Sequence, residues 1–290
     1  MSPAGQEVEL SEKLDQQGAE REAEKAFAAH TSGELPICPF TIAKKVDIII
    51  QPKPSSERGV SGFLMRVGNV FGIQYASHIA NDGFIRFTVA HELGHYFLPG
   101  HAEHLFPNGD GLHKSRSGFI SGDRYERQAD YFASALLMPE NLFRQRANRA
   151  GRGFAAIEKL AKEFQTSVTA TAIRFTKVTD DAVAVVVSSG DHIDYCFMSD
   201  RIRDLRGITW IRKGDLLPDR TPTAEFNADA SNVDEARREE GASYLDDWFD
   251  GAPRVEVNED VVGLGSYGKT LTVLFTDEDL QDEDDREEDE

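Results

Sequence analysis

Apolar residues recur at helical intervals in two segments of the middle of the chain. The first segment covers residues 84–98 and the second covers residues 123–139. The stripe is formed by Thr88, Val89, Leu93, Phe97 and Leu98 in the first segment, and by Ala129, Phe132, Ala133, Leu136 and Leu137 in the second. Such a stripe predicts a helix with one buried face, and Pro139 marks the end of the second helix.

Short runs of β-forming residues precede the first of these helices. Residues 46–50 are predicted to form a strand, and residues 61–67 and 70–75 a hairpin. A short capped helix is predicted before them, over residues 35–45. The hairpin is expected to turn at Gly68-Asn69. The resulting small sheet would support the first long helix. An exposed edge strand of such a sheet could also pair with an extended peptide through backbone hydrogen bonds.

Two short helices are predicted further along, at residues 154–164 and 167–175. Their spacing resembles a helix-turn-helix, the motif that many DNA-binding proteins insert into the major groove. The basic residues of this pair are diluted by acidic ones, including Glu158 and Glu163. Because a DNA-reading surface requires a basic face, direct nucleic-acid binding is not predicted.

The hydrophobic period changes to that of β-strands from Ala182 onwards. Strands are predicted over residues 182–188, 192–198, 254–257, 261–264 and 270–275, the first two as a hairpin. Cys196, Trp210 and Trp248 are interpreted as core or rim residues of this region. The pattern predicts a small α+β domain, and no motif in it indicates a ligand.

The 290-residue chain has a formal net charge of −19, much of which lies in its last residues. Residues 277–290 are almost entirely acidic, which predicts a disordered, solubilising tail that repels nucleic acid. The chain shows no long apolar run and no signal-peptide pattern at its start. Cys38 and Cys196 offer no disulfide framework. These features predict a soluble cytoplasmic protein without a membrane segment.

The helix predicted at 84–98 contains the sequence His91-Glu92-Leu93-Gly94-His95. Residues four apart lie on one face of a helix, so both imidazoles can bind one zinc ion while Glu92 addresses a bound water molecule. Buried imidazoles and carboxylates need partners, which favours a metal over three unrelated polar residues. Gly94 lowers helix stability, and therefore indicates a place where another backbone approaches closely. The pattern is that of a zinc hydrolase.

A catalytic zinc site requires a third protein ligand and keeps its fourth position open. Glu126, near the start of the second helix, is a candidate, and Asp130 could accept the second ring N–H of a ligating histidine. His101 is a rival, because it has the spacing of the third histidine in HExxHxxGxxH peptidases. This chain, however, has Leu98 where that motif has its turn-forming glycine. His104 is a weaker candidate.

Three further side chains are candidates for contacting a substrate or stabilising an oxyanion. They are His113, in a Gly- and Ser-containing segment predicted to be a loop (107–121), and Tyr125 and Tyr131 on the second helix. The sequence alone provides no geometric reason to choose among them.

Two blocks of sequence, taken together, resemble the ImmA/IrrE metallopeptidases. The blocks are Arg86-Phe87-Thr88-Val89-Ala90-His91-Glu92-Leu93-Gly94-His95-Tyr96 and Glu126-Arg127-Gln128-Ala129-Asp130-Tyr131-Phe132-Ala133, with Leu136-Leu137-Met138-Pro139 after them. The resemblance extends from residue 35 to residue 180. It implies a zinc ion held by His91, His95 and Glu126, with Glu92 as general base. Gln128 departs from the family, whose members often have a second Glu at this position.

The resemblance also implies a reaction and a partner. Family members cleave proteins, often helix-turn-helix repressors, so we expect a zinc-dependent endopeptidase that acts on a DNA-binding repressor in a stress or mobile-element response. The nitrogen and oxygen donors would also accept Mn²⁺. The alternatives are a metal-stabilised protein-binding module without turnover, and a direct transcription regulator. The intact Glu92 favours an enzyme over the former, because a structural zinc needs no general base.

These elements predict an α+β protein. A zincin-like peptidase domain with a small sheet and the HExxH helix is followed by a helical pair and by a smaller α+β domain. The predicted boundaries are 1–33 for a polar, partly disordered N-terminal segment, 34–150 for the peptidase domain, 151–180 for the helical pair, 181–276 for the small domain and 277–290 for the acidic tail.

Overall fold

The chain has the predicted α+β class in a computed structural model. The structure describes residues 3–53, 60–77, 81–115, 122–278 and Leu280, and for residues 3–14 the backbone alone. Most of the predicted acidic tail and the last part of the predicted loop at 107–121 lie outside these residues. The chain forms two compact units, which consist of Met1–Phe143 with Ala161–Ala170, and of Arg144–Leu160 with Thr171–Glu290.

The first unit combines a small sheet with the two long helices predicted from the apolar stripes. Its elements are α1 (Pro3–His30), α2 (Pro39–Lys45), β1 (Ile49–Lys53), β2 (Gly62–Val67), β3 (Val70–Ala76), α3 (Asp82–Phe97), α4 (His101–Leu105), β4 (Gly111–Ser115) and α5 (Arg124–Leu137). The strand order is β1-β3-β2-β4, with β1 parallel to β3 and the other pairs antiparallel. The predicted hairpin is confirmed as β2 and β3.

Two strands of this sheet differ from the prediction. β1 begins at Ile49 and not at Val46, because Val46 is the C-cap of α2 and Asp47 has a left-handed backbone with φ 58°. β4 was predicted as loop, but it pairs with β2 and brings His113 opposite Leu64. This polar edge strand lacks an alternating apolar pattern, so its conformation depends on the neighbouring strand.

The N-terminal segment is a helix where the sequence predicted partial disorder. α1 packs along α5, and its buried face is a narrow stripe of Ala19, Ala23 and Ala26. Beside this stripe, Asp15 accepts a hydrogen bond of 2.8 Å from Nε of Arg124. Alanine contributes little to a hydrophobic pattern, so the sequence signal for this buried face is weak.

α3 and α5 approach each other closely at Gly94. A Cβ atom added to Gly94 would lie 3.1 Å from Cα and 3.2 Å from the carbonyl oxygen of Ala129. The close backbone approach predicted from this glycine is therefore confirmed. Both helices are capped at their N-termini by side chains, Asn81 for α3 and Asp123 for α5, which accept backbone N–H groups.

The remaining elements begin with three helices and continue as a β-rich region. They are α6 (Glu140–Ala150), α7 (Gly153–Phe164), α8 (Val168–Val178), β5 (Ala182–Ser189), β6 (His192–Met198), α9 (Asp200–Arg203), α10 (Pro222–Asn227), α11 (Ala230–Asp234), β7 (Arg238–Tyr244), α12 (Leu245–Trp248), β8 (Glu256–Gly263), a 3-10 turn (Gly265–Tyr267) and β9 (Thr270–Thr276). Within the described helices, none has the length and apolar character that crossing a bilayer demands.

The second unit contains an antiparallel sheet in the order β6-β5-β9-β8-β7. The predicted hairpin of β5 and β6 is confirmed, whereas the strands predicted at 254–257 and 261–264 belong to the single strand β8. The polar strand β7 was not predicted. Trp248 is buried in the core of this unit, Cys196 packs against that core, and Trp210 is 38% exposed at its rim.

The helical pair α7 and α8 differs from a DNA reader in its second helix. The side chains of α8 from Ala170 to Thr176 are all buried, so this helix does not present a surface that a groove could accept. The turn before it is held by α3, because Nε of Arg86 donates a 3.0 Å hydrogen bond to the carbonyl of Gln165. Gly83 of α3 also leaves room for the backbone of Ser167.

We predict that Gly94→Ala destabilises the protein. A helix interior usually gains about 1 kcal/mol from this change, but here the added methyl must displace α5, and overpacking of this kind costs about 1–3 kcal/mol. Urea unfolding measures the difference, with Gly122→Ala as the matched control, because no atom of the described residues lies within 4 Å of a Cβ at Gly122. A Gly94→Ala variant as stable as the wild type would refute the close contact.

Candidate metal centre

Two imidazoles from α3 and one carboxylate from α5 converge on one point. Nε2 of His95 lies 3.1 Å from Nε2 of His91 and 3.2 Å from Oε1 of Glu126. Nε2 of His91 lies 3.5 Å from Oε2 of Glu126. Four-coordinate zinc at about 2.0–2.1 Å from its ligands requires donor atoms roughly 3.3 Å apart. The three separations match this requirement, so His91, His95 and Glu126 form a cluster that can bind a metal.

The ionisation of His95 and Glu126 suits a metal centre. Burial lowers the pKa of His95 to about 3, which keeps the ring neutral and a lone pair available. Burial would raise the pKa of Glu126, but hydrogen bonds with His113, His91 and His95 hold it well below its usual range. Glu126 is therefore a carboxylate, and ligands of divalent metals must be deprotonated in this way.

His91 differs from His95 because a carboxylate contacts its second ring nitrogen. Nδ1 of His91 lies 2.8 Å from Oδ1 of Asp130, and both side chains are buried. Burial would lower the pKa of His91, but the hydrogen bonds to Asp130 and Glu126 raise it to about 10. Without a metal the ring therefore carries protons on both nitrogens. A metal ion would take the place of the Nε2 proton, and Asp130 would hold the remaining proton on Nδ1, which is the tautomer a ligand requires.

Glu92 is fully buried beside this cluster. Neither carboxylate oxygen has a hydrogen bond of good geometry from the described residues, and the nearest donor is the Ser115 hydroxyl, which is itself unpaired. Burial raises the pKa of Glu92 to about 7, although His91 and the nearby Ser115 hydroxyl act to lower it. A buried carboxylate without a donor is unfavourable unless a further group completes the site. A water molecule held by a metal ion would supply that donor, so the orphaned oxygens fit the proposed ion.

Gly62 of β2 provides the space that Glu92 occupies. A Cβ atom at Gly62 would lie 2.5 Å from Oε1 of Glu92 and 2.7 Å from Cγ2 of Thr88. Sequence reasoning missed this residue. The available signal was a glycine inside a predicted strand, which often marks a place where another group approaches the backbone.

His101 lies behind His95 and not among the three converging donors. Its Nδ1 is 3.0 Å from Nδ1 of His95, the ring nitrogen that faces away from Glu126, and its Nε2 is 3.0 Å from Oε1 of Gln128. This geometry argues against His101 as the third ligand. The other rival, His104, is exposed and stacks on Tyr125 with ring centroids 3.8 Å apart.

Of the three substrate-contact candidates, the structure brings His113 to the cluster. His113 lies on β4, and its Nε2 is 2.8 Å from Oε1 of Glu126. Tyr125 packs instead against the rings of His101 and His104. Tyr131 follows Glu126 by five residues, which is about 140° around a helix, so it projects from a different side of α5.

The HExxH helix, the small sheet and the glutamate of the second helix define a zincin-like peptidase domain. Residues 75–176 match the family model Peptidase_M78, described as an IrrE N-terminal-like domain. This segment includes every donor of the cluster. Residues 75–176 are therefore similar to this domain, and the predicted resemblance to the ImmA/IrrE metallopeptidases is confirmed.

A solved structure described as a Mycobacterium tuberculosis transcriptional regulator has a similar fold. The TM-score is 0.55 and the sequence identity is 13%, over 90% of this chain and 76% of that chain. At this identity the likeness concerns the fold alone. Comparison with curated protein sequences finds no match.

We predict that Glu126→Ala lowers zinc affinity by more than roughly 100-fold, because even outer partners of a ligand are worth 10- to 100-fold. Competition with a chelating dye measures the affinity. His104→Ala is the matched control, since His104 is an exposed histidine outside the cluster and should leave zinc binding unchanged. Equal zinc binding by Glu126→Ala and wild type would eliminate Glu126 as the third ligand.

Proposed function

We propose that this protein is a zinc-dependent endopeptidase that cleaves a helix-turn-helix transcriptional repressor. The observation that carries the proposal is the fully buried Glu92 carboxylate, which lies beside three convergent metal donors. A metal that only stabilised the fold would need no such group. The Peptidase_M78 domain supports protease activity.

The protein's own residues divide the work of peptide hydrolysis. His91, His95 and Glu126 would hold the zinc ion, and Asp130 would keep His91 in the ligating tautomer. A zinc ion in this position supplies Lewis-acid chemistry, which lowers the pKa of water toward ~7 and polarises the scissile carbonyl. The same nitrogen and oxygen donors are also compatible with Mn²⁺.

Glu92 is the proposed general base and acid. Its carboxylate takes a proton from the water whose oxygen attacks the carbonyl carbon, and later delivers that proton to the nitrogen of the leaving amine as the carbon–nitrogen bond breaks. The proton that Glu92 takes from water is the one it gives to the amine, so hydrolysis consumes only the peptide and water. His113 is the proposed hydrogen-bond donor to the substrate oxygen. Its Nε2 lies 2.8 Å from Oε1 of Glu126, which places the ring beside the metal donors where the substrate carbonyl would bind.

β4 is the proposed docking edge for an extended substrate. It is the last strand in the order β1-β3-β2-β4 and pairs on one side with β2. A peptide added to its other side would lie next to His113 and therefore close to the metal donors. Leu112 of β4 is 50% exposed and offers an apolar contact to such a peptide.

The proposed substrate class rests on the family resemblance and on the regulatory context. The Peptidase_M78 match and the similarity of fold to a transcriptional regulator support an action in regulation. Direct DNA binding is disfavoured by the buried α8. A repressor cleaved in a stress or mobile-element response, in the cytoplasm where repressors bind DNA, agrees with both observations.

We predict that Glu92→Gln abolishes cleavage and leaves zinc bound. The amide has nearly the shape of the carboxylate but cannot accept a proton, so activity should fall by at least about 10²–10⁴. The assay is cleavage of a co-expressed helix-turn-helix repressor encoded nearby, together with zinc content. Glu103→Gln, an exposed residue of α4, is the matched control.

Other outcomes of this assay distinguish the alternative functions. Stoichiometric zinc without cleavage of any repressor tested would favour a metal-stabilised binding module. DNA binding by the purified protein that weakens steeply as salt rises would favour a direct transcription regulator. Full activity of Glu92→Gln would contradict the proposed mechanism.

A second prediction concerns Gly62→Ala. The added methyl would occupy the position of the Glu92 carboxylate, so the peptidase rate constant kcat should fall while zinc affinity changes little. Gly122→Ala, whose added methyl meets no atom in the part of the chain that the structure describes, controls for the loss of a glycine. A Gly62→Ala variant with the wild-type kcat would show that Glu92 does not depend on this space.

A further inference from the structure

A continuous hydrogen-bond path connects the metal cluster with α1. It starts at Nδ1 of His95, which lies 3.0 Å from Nδ1 of His101. Nε2 of His101 lies 3.0 Å from Oε1 of Gln128, and Nε2 of Gln128 donates to Oδ1 of Asp15 at 3.0 Å. Asp15 also receives two hydrogen bonds from Arg124, of 2.8 Å and 2.6 Å.

The chemistry of the groups allows one direction of donation along this path. A carboxylate only accepts, so the amide nitrogen of Gln128 must face Asp15 and its oxygen must face His101. The Gln128 oxygen accepts the Nε2 proton of His101, which leaves a lone pair on Nδ1 of His101. That lone pair accepts the Nδ1 proton of His95. His95 is therefore left with a lone pair on Nε2, the atom that faces Glu126.

We propose that His101, Gln128 and Asp15 are positioning residues for His95, and that α1 thereby contributes to metal affinity. The inference rests on the proposed metal centre. His91 has a direct carboxylate partner in Asp130, whereas His95 has a relay of two neutral groups that ends on a carboxylate. Both arrangements fix the tautomer that a metal ligand requires.

Gln128 has a role in this relay that Glu could not fill. The relay needs a side chain that accepts from His101 and donates to Asp15, and an amide does both. A Glu at this position would accept from His101 but would place a second carboxylate about 3 Å from that of Asp15. Replacing Asp15 by Asn would remove this repulsion and restore a donor, now from residue 15 to residue 128.

The test therefore exchanges the amide of residue 128 and the carboxylate of residue 15 in the full-length protein. We expect zinc affinity to fall by roughly 10- to 100-fold in Gln128→Leu and about tenfold in Gln128→Glu, as measured by competition with a chelating dye. Adding Asp15→Asn to Gln128→Glu should recover most of the loss, with no change in total charge. Glu24→Gln, an exposed acidic residue of α1, is the control and should bind zinc as the wild type does.

The tautomer of His95 provides a readout that a purely structural role would not move. In zinc-free wild-type protein, two-bond proton–nitrogen NMR correlations should show the His95 proton on Nδ1. In Gln128→Leu a population with the proton on Nε2 should appear. If Gln128→Leu fails to fold, the rescue of Gln128→Glu by Asp15→Asn still tests the relay.

The outcomes separate this inference from the proposed function. Wild-type protein that binds no zinc would overturn the metal centre and the relay with it. Zinc-binding wild type with unchanged affinity in Gln128→Leu, or Gln128→Glu that Asp15→Asn does not rescue, would overturn the relay alone. Loss of affinity in the single variants with recovery in the double variant would establish it.

Discussion

The contact between α3 and α5 at Gly94 and Ala129 determines the rest of the first unit. Because the two backbones approach so closely there, α5 can present Glu126 and Asp130 to histidines that belong to another helix. Neither helix contains a complete donor set alone. The close packing of α3 against α5 therefore also assembles the cluster. The space between the two backbones at Gly94 is too small for an added methyl group.

The cluster concentrates carboxylates in the interior of the first unit. Glu92 and Asp130 are fully buried and Glu126 is nearly so, while burial keeps His95 neutral. Buried charges of one sign are unfavourable unless an opposite charge compensates them. The protonated His91 supplies part of that compensation, and a divalent cation at the cluster would supply the rest.

The sequence predicted those parts of the site that short-range patterns encode. The spacing of His91 and His95 places both on one helical face, and Glu126 begins a second helix whose apolar stripe is clear. The role of His113 could not be predicted, because β4 is a strand only by virtue of its pairing with β2. Asp15 could not be predicted either, since its partners come from α5 and the buried apolar residues described in α1 are alanines.

The contact of the Glu92 side chain with Gly62 of β2 constrains the register of the sheet. The side chains of a strand alternate between its faces, and a slip of one residue in the β2–β3 register would replace Gly62 by Ser61 or Phe63. Each of these brings a Cβ atom to the place of the carboxylate. The register of the β2–β3 hairpin therefore determines whether the neighbouring helix can hold its general base. A sheet shifted by one residue would leave no room for the Glu92 carboxylate.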